Sequence, residues 1–253
     1  MAVEEKTGAE EQGEDTVRLT VNCSVRRGIH KAQCEDTCLI GTKIVNDGTA
    51  TVECVPPARV YICDGVGENA GGGEASMFIC KHISDDFKEV NMELIRYGRE
   101  SGKPQMATTL TGLIFRQDGI VLVHAGNTRL YTVRGGYLNQ ITTDHTTCEW
   151  LRQTGNDEAA ETYNKNEIRC AFGGGSPDYL NDVVVRQIFS DRVPGMLMMT
   201  TDGIHDYLTE DQMESIIGST LSASEKINLL IETSVNNGSE DDCSAVIIGI
   251  SER

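Results

Sequence analysis

Residues 58–76, ARVYICDGVGENAGGGEAS, govern how the rest of the chain reads. Val60, Tyr61, Ile62 and Cys63 form an apolar run that ends in Asp64-Gly65. A glycine-rich loop and then an amphipathic helix follow. An aspartate closing a buried strand, with glycine behind it, builds a core poorly and presents a carboxylate well. The chain has four Asp-Gly pairs, so the pair alone decides nothing. Asp47-Gly48 and Asp118-Gly119 lie between alternating apolar runs and read as hairpin turns. Asp64-Gly65 and Asp202-Gly203 each close an apolar strand and lead towards a helix, so these two aspartates are expected to meet in space.

Outward from this stretch, 253 residues suit a single large domain that needs no staples. Residues 1–17 hold six acids against one lysine and almost nothing apolar, and read as a disordered acidic tail ahead of a domain over 18–253. A net charge of −17 argues against binding a nucleic-acid backbone. It suits a site that gathers cations. No run of 18 apolar residues and no apolar leader occurs, which points to a soluble, cytoplasmic protein away from membranes. Nine cysteines without a Cys-x-x-Cys pair read as reduced, buried thiols rather than a zinc site or a disulfide framework.

Alternation marks strands at 18–25, 37–40, 51–55 and 58–63, and again in ATTLTGLIF, IVLVHAG, RLYTVRG and YLNQIT. Three- and four-residue apolar spacing over 74–98 predicts one helix with a buried face, His82 packing beside it. His124, inside IVLVHAG, reads as a core histidine. Residues 145–180 lack periodicity and read as an irregular flap. Strands DVVVRQIF, GMLMMTT and CSAVIIGI and helices near 209–217 and 223–235 complete the pattern. Short strands in hairpins, interrupted by two helical blocks, give an α+β fold of antiparallel sheets with helices outside.

Asp36 enters a strand, Asp64 and Asp202 close strands, and Asp241 begins one. Carboxylates gathered at buried strand ends repel one another unless cations lie between them. Hard oxygen ligands without His or Cys indicate Mg²⁺ or Mn²⁺ rather than zinc.

The motifs KAQCEDT, YICDGVG…GGGEAS, MATTL, HAGNTRLY, LNQITTDHT, MTTDGIHDYLT and EDDCSAVII, in that order, resemble the metal-dependent protein phosphatases of type 2C, most of all their short bacterial members. The resemblance implies a four-layer α-β-β-α sandwich with two central antiparallel sheets. It implies hydrolysis of phosphoserine and phosphothreonine by attack of a metal-bridging water, without a phosphoenzyme. Carried over, Asp64 bridges two metal ions and the Gly65 carbonyl binds one. Asp202 and Asp241 complete the protein ligands, Glu35 and Asp36 act through waters, and Lys31 holds the place of the phosphate-binding arginine. Phosphorylated proteins, the products of a serine/threonine kinase, are the implied partners, and a monomer is expected.

The chain also departs from the pattern. Lys31 offers a point charge in place of a bidentate fork. Cys34 replaces an asparagine, with oxidant sensitivity and a packed thiol as its two readings. Val66 stands where many members carry a histidine acid, which leaves a metal-bound water for that role, and Glu68 replaces a loop glycine. Asn127 stands where an aspartate helps hold a third metal ion, and a neutral amide binds a dication more weakly. One competing reading is a weak or inactive member that binds phosphoproteins. The other takes Gly65-Val66-Gly67-Glu68-Asn69-Ala70 as a dinucleotide-binding turn, against which stand the charge of Asp64 and the lack of repeated βαβ units.

Overall fold

The computed structural model describes residues 17–67, 71–190 and 193–251. The tail expected over 1–17 therefore lies, but for Val17, outside the described residues, as does Glu68. In chain order, β1 (Arg18–Arg26), β2 (Thr37–Ile40), β3 (Lys43–Val45), β4 (Gly48–Cys54), β5 (Ala58–Cys63) and β6 (Gly65–Val66) lead to α1 (Gly72–His82) and α2 (Phe87–Glu100). Next come β7 (Ala107–Thr108), β8 (Leu110–Arg116), β9 (Gly119–Ala125), β10 (Arg129–Arg134) and β11 (Tyr137–Gln140). They are followed by α3 (Thr147–Gln153), α4 (Asp157–Thr162), β12 (Phe172–Gly173), β13 (Val184–Phe189) and β14 (Met196–Thr200). Last are α5 (Asp202–His205), α6 (Glu210–Ile217), α7 (Ala223–Asn236) and β15 (Cys243–Ser251).

One six-stranded antiparallel sheet has the order β11-β10-β14-β15-β1-β4, and the other runs β13-β9-β8-β5-β2-β3. The alternation of RLTVNCSVR drives their packing. Leu19, Val21, Cys23 and Val25 turn inward to meet Val60, Ile62, Leu113 and Phe115 of the facing sheet. Each sheet then needs cover on its outer face. Ile79 of α1 and Leu94 of α2 close over Tyr61, Leu110 and Val123. Ile216 of α6 and Leu230 of α7 close over Met198, Ala245 and Ile247 on the other side. The result is the four-layer α-β-β-α sandwich.

The single helix expected over 74–98 is two helices, with Ile83–Asp86 between them. The Asp86 side chain accepts from the Glu89 amide at 3.0 Å, an N-cap that starts α2 where the apolar spacing runs on unbroken. His82 is exposed and stacks on Phe78 with ring centroids 4.4 Å apart, so it packs beside the buried face without being covered. The hairpin reading holds at Asp118-Gly119, where β8 pairs with β9 and Gly119 takes a φ of 140°. It fails at Asp47-Gly48: β3 and β4 belong to different sheets, and Gly48, at a φ of 77°, carries the chain from one sheet to the other.

Antiparallel pairing fixes where the carboxylates go. Thr200 at the end of β14 faces Ala245 near the start of β15, and Cys63 at the end of β5 faces Thr37 at the start of β2. Asp202, Asp241, Asp64 and Asp36 therefore emerge at one end of the sandwich, two from each sheet.

Candidate active site

Lys31, Glu35, Asp64, Gly65, Asp202 and Asp241 line one cleft of about 790 Å³, with Asn127 at its side. The backbone of Asp64 is pinned by the break between β7 and β8. Its carbonyl accepts from the Thr109 amide at 2.8 Å and the Thr108 hydroxyl at 2.9 Å, and its amide donates to Thr109 Oγ1 at 3.1 Å. That is the use of the MATTL motif. Glycine at 65 is required by a neighbour: a Cβ there would lie 2.3 Å from the Gly72 carbonyl carbon. Close backbone packing, then, rather than freedom of the Gly65 carbonyl, is what the structure gives for this glycine. Gly203 is held for the same reason, its Cβ position being 2.0 Å from the Asp242 carbonyl oxygen.

Asp36 is fully buried behind the cleft, with Oδ2 accepting from Ser244 at 2.6 Å and from Thr201 at 3.1 Å. Its Oδ1 has no partner. Asn127 donates from Nδ2 to Asp202 Oδ2 at 3.0 Å, and its own Oδ1 is likewise buried and unpartnered. Burial pushes the Asp36 and Asp64 carboxyls well above their ordinary range, and the charges of Asp242 on Asp36 and of Asp202 on Asp64 push the same way. Asp202 is pushed up to about 6, first by burial and then by Asp241. Burial also raises Glu35, against the opposing pull of Lys31.

The cation in this arrangement is Lys31. Its Nζ lies 2.5 Å from Asp241 Oδ1, 3.2 Å from Asp242 Oδ2 and 3.3 Å from Glu35 Oε2. Burial works against its charge, but the hydrogen bond and charge of Asp241 outweigh burial and its pKa rises. Asp242 is the residue that sequence reasoning missed. It is buried, and its two oxygens take the Gly28 and Glu35 amides, each at 2.7 Å. In this way it fixes the loop that carries Lys31, Glu35 and Asp36.

Among the described residues, no three His, Cys, Asp or Glu side chains close round one point as a ready metal cage. The carboxylates face a shared cleft instead. Two orphaned buried oxygens and several carboxylates whose charge is opposed are what a hard dication, bound in part through waters, would relieve. The donor set fits Mg²⁺ or Mn²⁺.

The comparisons with known proteins agree with this architecture. No protein-family model matches the chain. The serine/threonine phosphatase Stp of Listeria monocytogenes is 27% identical over 213 residues, covering 75% of this chain and 83% of its own. A putative protein phosphatase 2C-type of Streptococcus pyogenes is 24% identical over 212 residues, covering 75% and 84%. The chain is a relative of the type 2C serine/threonine phosphatases. Solved structures agree on the fold: a bacterial serine phosphatase superposes with a TM-score of 0.74 at 20% identity, over 92% of this chain and 98% of the other. The Mycobacterium tuberculosis serine/threonine phosphatase PstP/Ppp gives 0.71 at 22%, over 92% and 98%.

One departure from the type 2C pattern acquires a physical setting here. Cys34 is half-buried, and burial together with the charge of Asp36 pushes its thiol up, the opposite of an activated thiolate. The flap holds more order than its sequence suggests, with α3, α4 and β12 inside it. Asn166 and Ile168 reach the cleft wall, and Lys165 pairs with Asp206 at 2.8 Å beside the Asp202 helix. His124 is a buried core histidine, as read.

Proposed function

We propose that this protein is a metal-dependent phosphatase of phosphoserine and phosphothreonine in proteins. The observation that carries the reading is the convergence of Asp64, Asp202 and Asp241 from three strand ends onto one cleft, with Asp36 buried behind it and burial opposing the charge of Asp36, Asp64 and Asp202. Asp64, Asp202, Asp241 and the Gly65 carbonyl would hold two Mg²⁺ or Mn²⁺ ions, with Glu35 and Asp36 acting through waters. When bound, the ions would supply an acidified water as nucleophile and offset charge on the phosphoryl oxygens. Lys31 turns from its carboxylates to a phosphoryl oxygen of the substrate. Asn127 steers Asp202 through its amide hydrogen bond and is a weak donor to any third ion. Val66 puts no acid beside the leaving oxygen, so its proton comes from water.

The enzyme acts as a monomer in the cytoplasm and reverses the work of a serine/threonine kinase. Among the described residues no helix is long and apolar enough to cross a membrane. A second reading, a weak or inactive member that binds phosphoproteins, is favoured by one observation: Lys31 is already engaged by three carboxylates. One assay separates the two. Hydrolysis of a phosphothreonine peptide is measured with Mn²⁺, with chelator, and in Asp202→Asn. Turnover that needs Mn²⁺ and falls at least a hundredfold in Asp202→Asn is expected. Peptide binding without turnover, with Mn²⁺ bound, would move the assignment to the binding module.

A further inference from the structure

A second groove, of about 950 Å³, runs beside the cleft along the outer face of α1. Met77, Phe78, Lys81 and His82 line it, positions one and four residues apart that share a stripe of the helix. Tyr97 of α2 forms the opposite wall. Phe78 stacks on His82, centroids 4.4 Å apart and planes at 30°, and on Tyr97 at 5.1 Å and 25°. The rings form a ladder across two helices, with Tyr97 39% exposed at its open end. Phe78 is half-buried against the core beneath, but core packing does not account for the exposed rings of His82 and Tyr97 on either side of it, whereas a platform for another aromatic side chain does.

The groove adjoins the candidate active site, since Gln33 lines both. Its length follows α1, whose eleven residues rise roughly 16 Å, the span of about five residues of extended chain. Its charge is unbalanced. Glu74 is paired with Lys103, whereas among the described residues Arg27 and Lys81 have no ion-pair partner and Asp47 is the one further acid on the lining.

We propose that this groove binds the segment of substrate flanking the phosphorylated residue. It selects an extended peptide that sets an aromatic side chain against the Phe78–Tyr97 ladder and an acidic one near Lys81 and Arg27. The proposal rests on the phosphatase reading of the adjoining cleft, and its test keeps the two apart. Phosphothreonine peptides carrying Phe or Ala two to five residues to either side are compared. Binding is followed by fluorescence anisotropy in chelator, and kcat/KM with Mn²⁺. Tyr97→Ala and Lys81→Glu, both at exposed positions, are assayed beside the parent, with p-nitrophenyl phosphate as a substrate that has no flank.

At one of these positions the parent should prefer Phe by at least about threefold in binding and in kcat/KM. Tyr97→Ala should lose that preference, and Lys81→Glu should weaken peptides with an acidic neighbour. Both variants should keep the parental rate on p-nitrophenyl phosphate. No preference in the parent, a preference that survives Tyr97→Ala, or an equal loss on p-nitrophenyl phosphate overturns the proposal. A parent that turns over nothing with Mn²⁺ counts against the phosphatase reading alone, since anisotropy still decides the groove.

Discussion

Asp242 shows how one side chain can hold a site it does not face. Its two oxygens take the buried amides of Gly28 and Glu35 and also meet Lys31. Asp242→Ala strands both amides, at a cost of roughly 2–5 kcal/mol in urea unfolding. Asp242→Asn keeps one acceptor and should cost about half as much. An alanine effect under about 1 kcal/mol would refute this role. Lys31 makes the complementary case, as the positive charge among Glu35, Asp241 and Asp242. Lys31→Gln should tighten Mn²⁺ binding, read by electron paramagnetic resonance, on the order of tenfold, a modest share of the Coulomb energy at such distances. Unchanged or weaker binding would show that Lys31 does not compete for these carboxylates. The sequence revealed Asp64 and Asp202 because an apolar run before each and a glycine after it mark a strand end. It did not reveal Asp242, because a row of three acids carries no sign of which one points inward. That depends on where β15 begins, and on Asp242 receiving amides from residues more than two hundred positions away.

At the scale of the element, the boundary between α1 and α2 is a capping event hidden within a continuous apolar stripe. Ser84, Asp85 and Asp86 interrupt the helix, and Asp86 restarts it by accepting from the Glu89 amide. Asp86→Ala should cost about 1 kcal/mol of stability in chemical denaturation and leave phosphatase assays unchanged. No loss would mean that the N-cap is already satisfied by water. Periodicity found the buried face of both helices and missed their break, because spacing reports which side is covered and is silent on where hydrogen bonding stops. The two helices on the other face begin where their residues said they would: Thr209 and Ser222 form full capping boxes. The flap was illegible for a related reason. α3 and α4 have seven and six residues, too few turns for an apolar period to register. Their order comes from tertiary ties, among them Lys165 to Asp206 and Arg169 over the Trp150 ring.

Across the whole molecule, the sandwich was legible because two central sheets need alternation and two outer layers need stripes, and both patterns survive in the sequence. The long-range charge balance is less visible, since it depends on which titratable groups the layers enclose. His124 lies in the middle of β9, 1% exposed, with its ring 4.6 Å from that of His145. Its Nε2 donates to the Thr143 carbonyl at 2.9 Å, and its Nδ1 lies 2.9 Å from the Thr111 hydroxyl, which also reaches the Thr128 carbonyl at 2.8 Å. Burial, with His145 adding to it, pulls the pKa of His124 down to about 3. Because the folded value lies below the unfolded one, the neutral ring gives its full contribution above about pH 6.5. As pH falls below that, the unfolded chain gains a proton that the folded protein refuses, and stability drops until pH approaches 3. Glutamine at this position can donate to the Thr143 carbonyl and stay beside the Thr111 hydroxyl without titrating. The difference between parent and His124→Gln cancels the groups that do not touch His124, the clustered carboxylates included, and leaves His124 with its neighbour His145. Between pH 7 and pH 5 the parent should lose about 2 kcal/mol relative to the variant, measured by urea unfolding in chelator. Parallel pH profiles would mean that His124 takes its proton inside the folded protein, and that the sandwich opens at β9 far more readily than its packing implies.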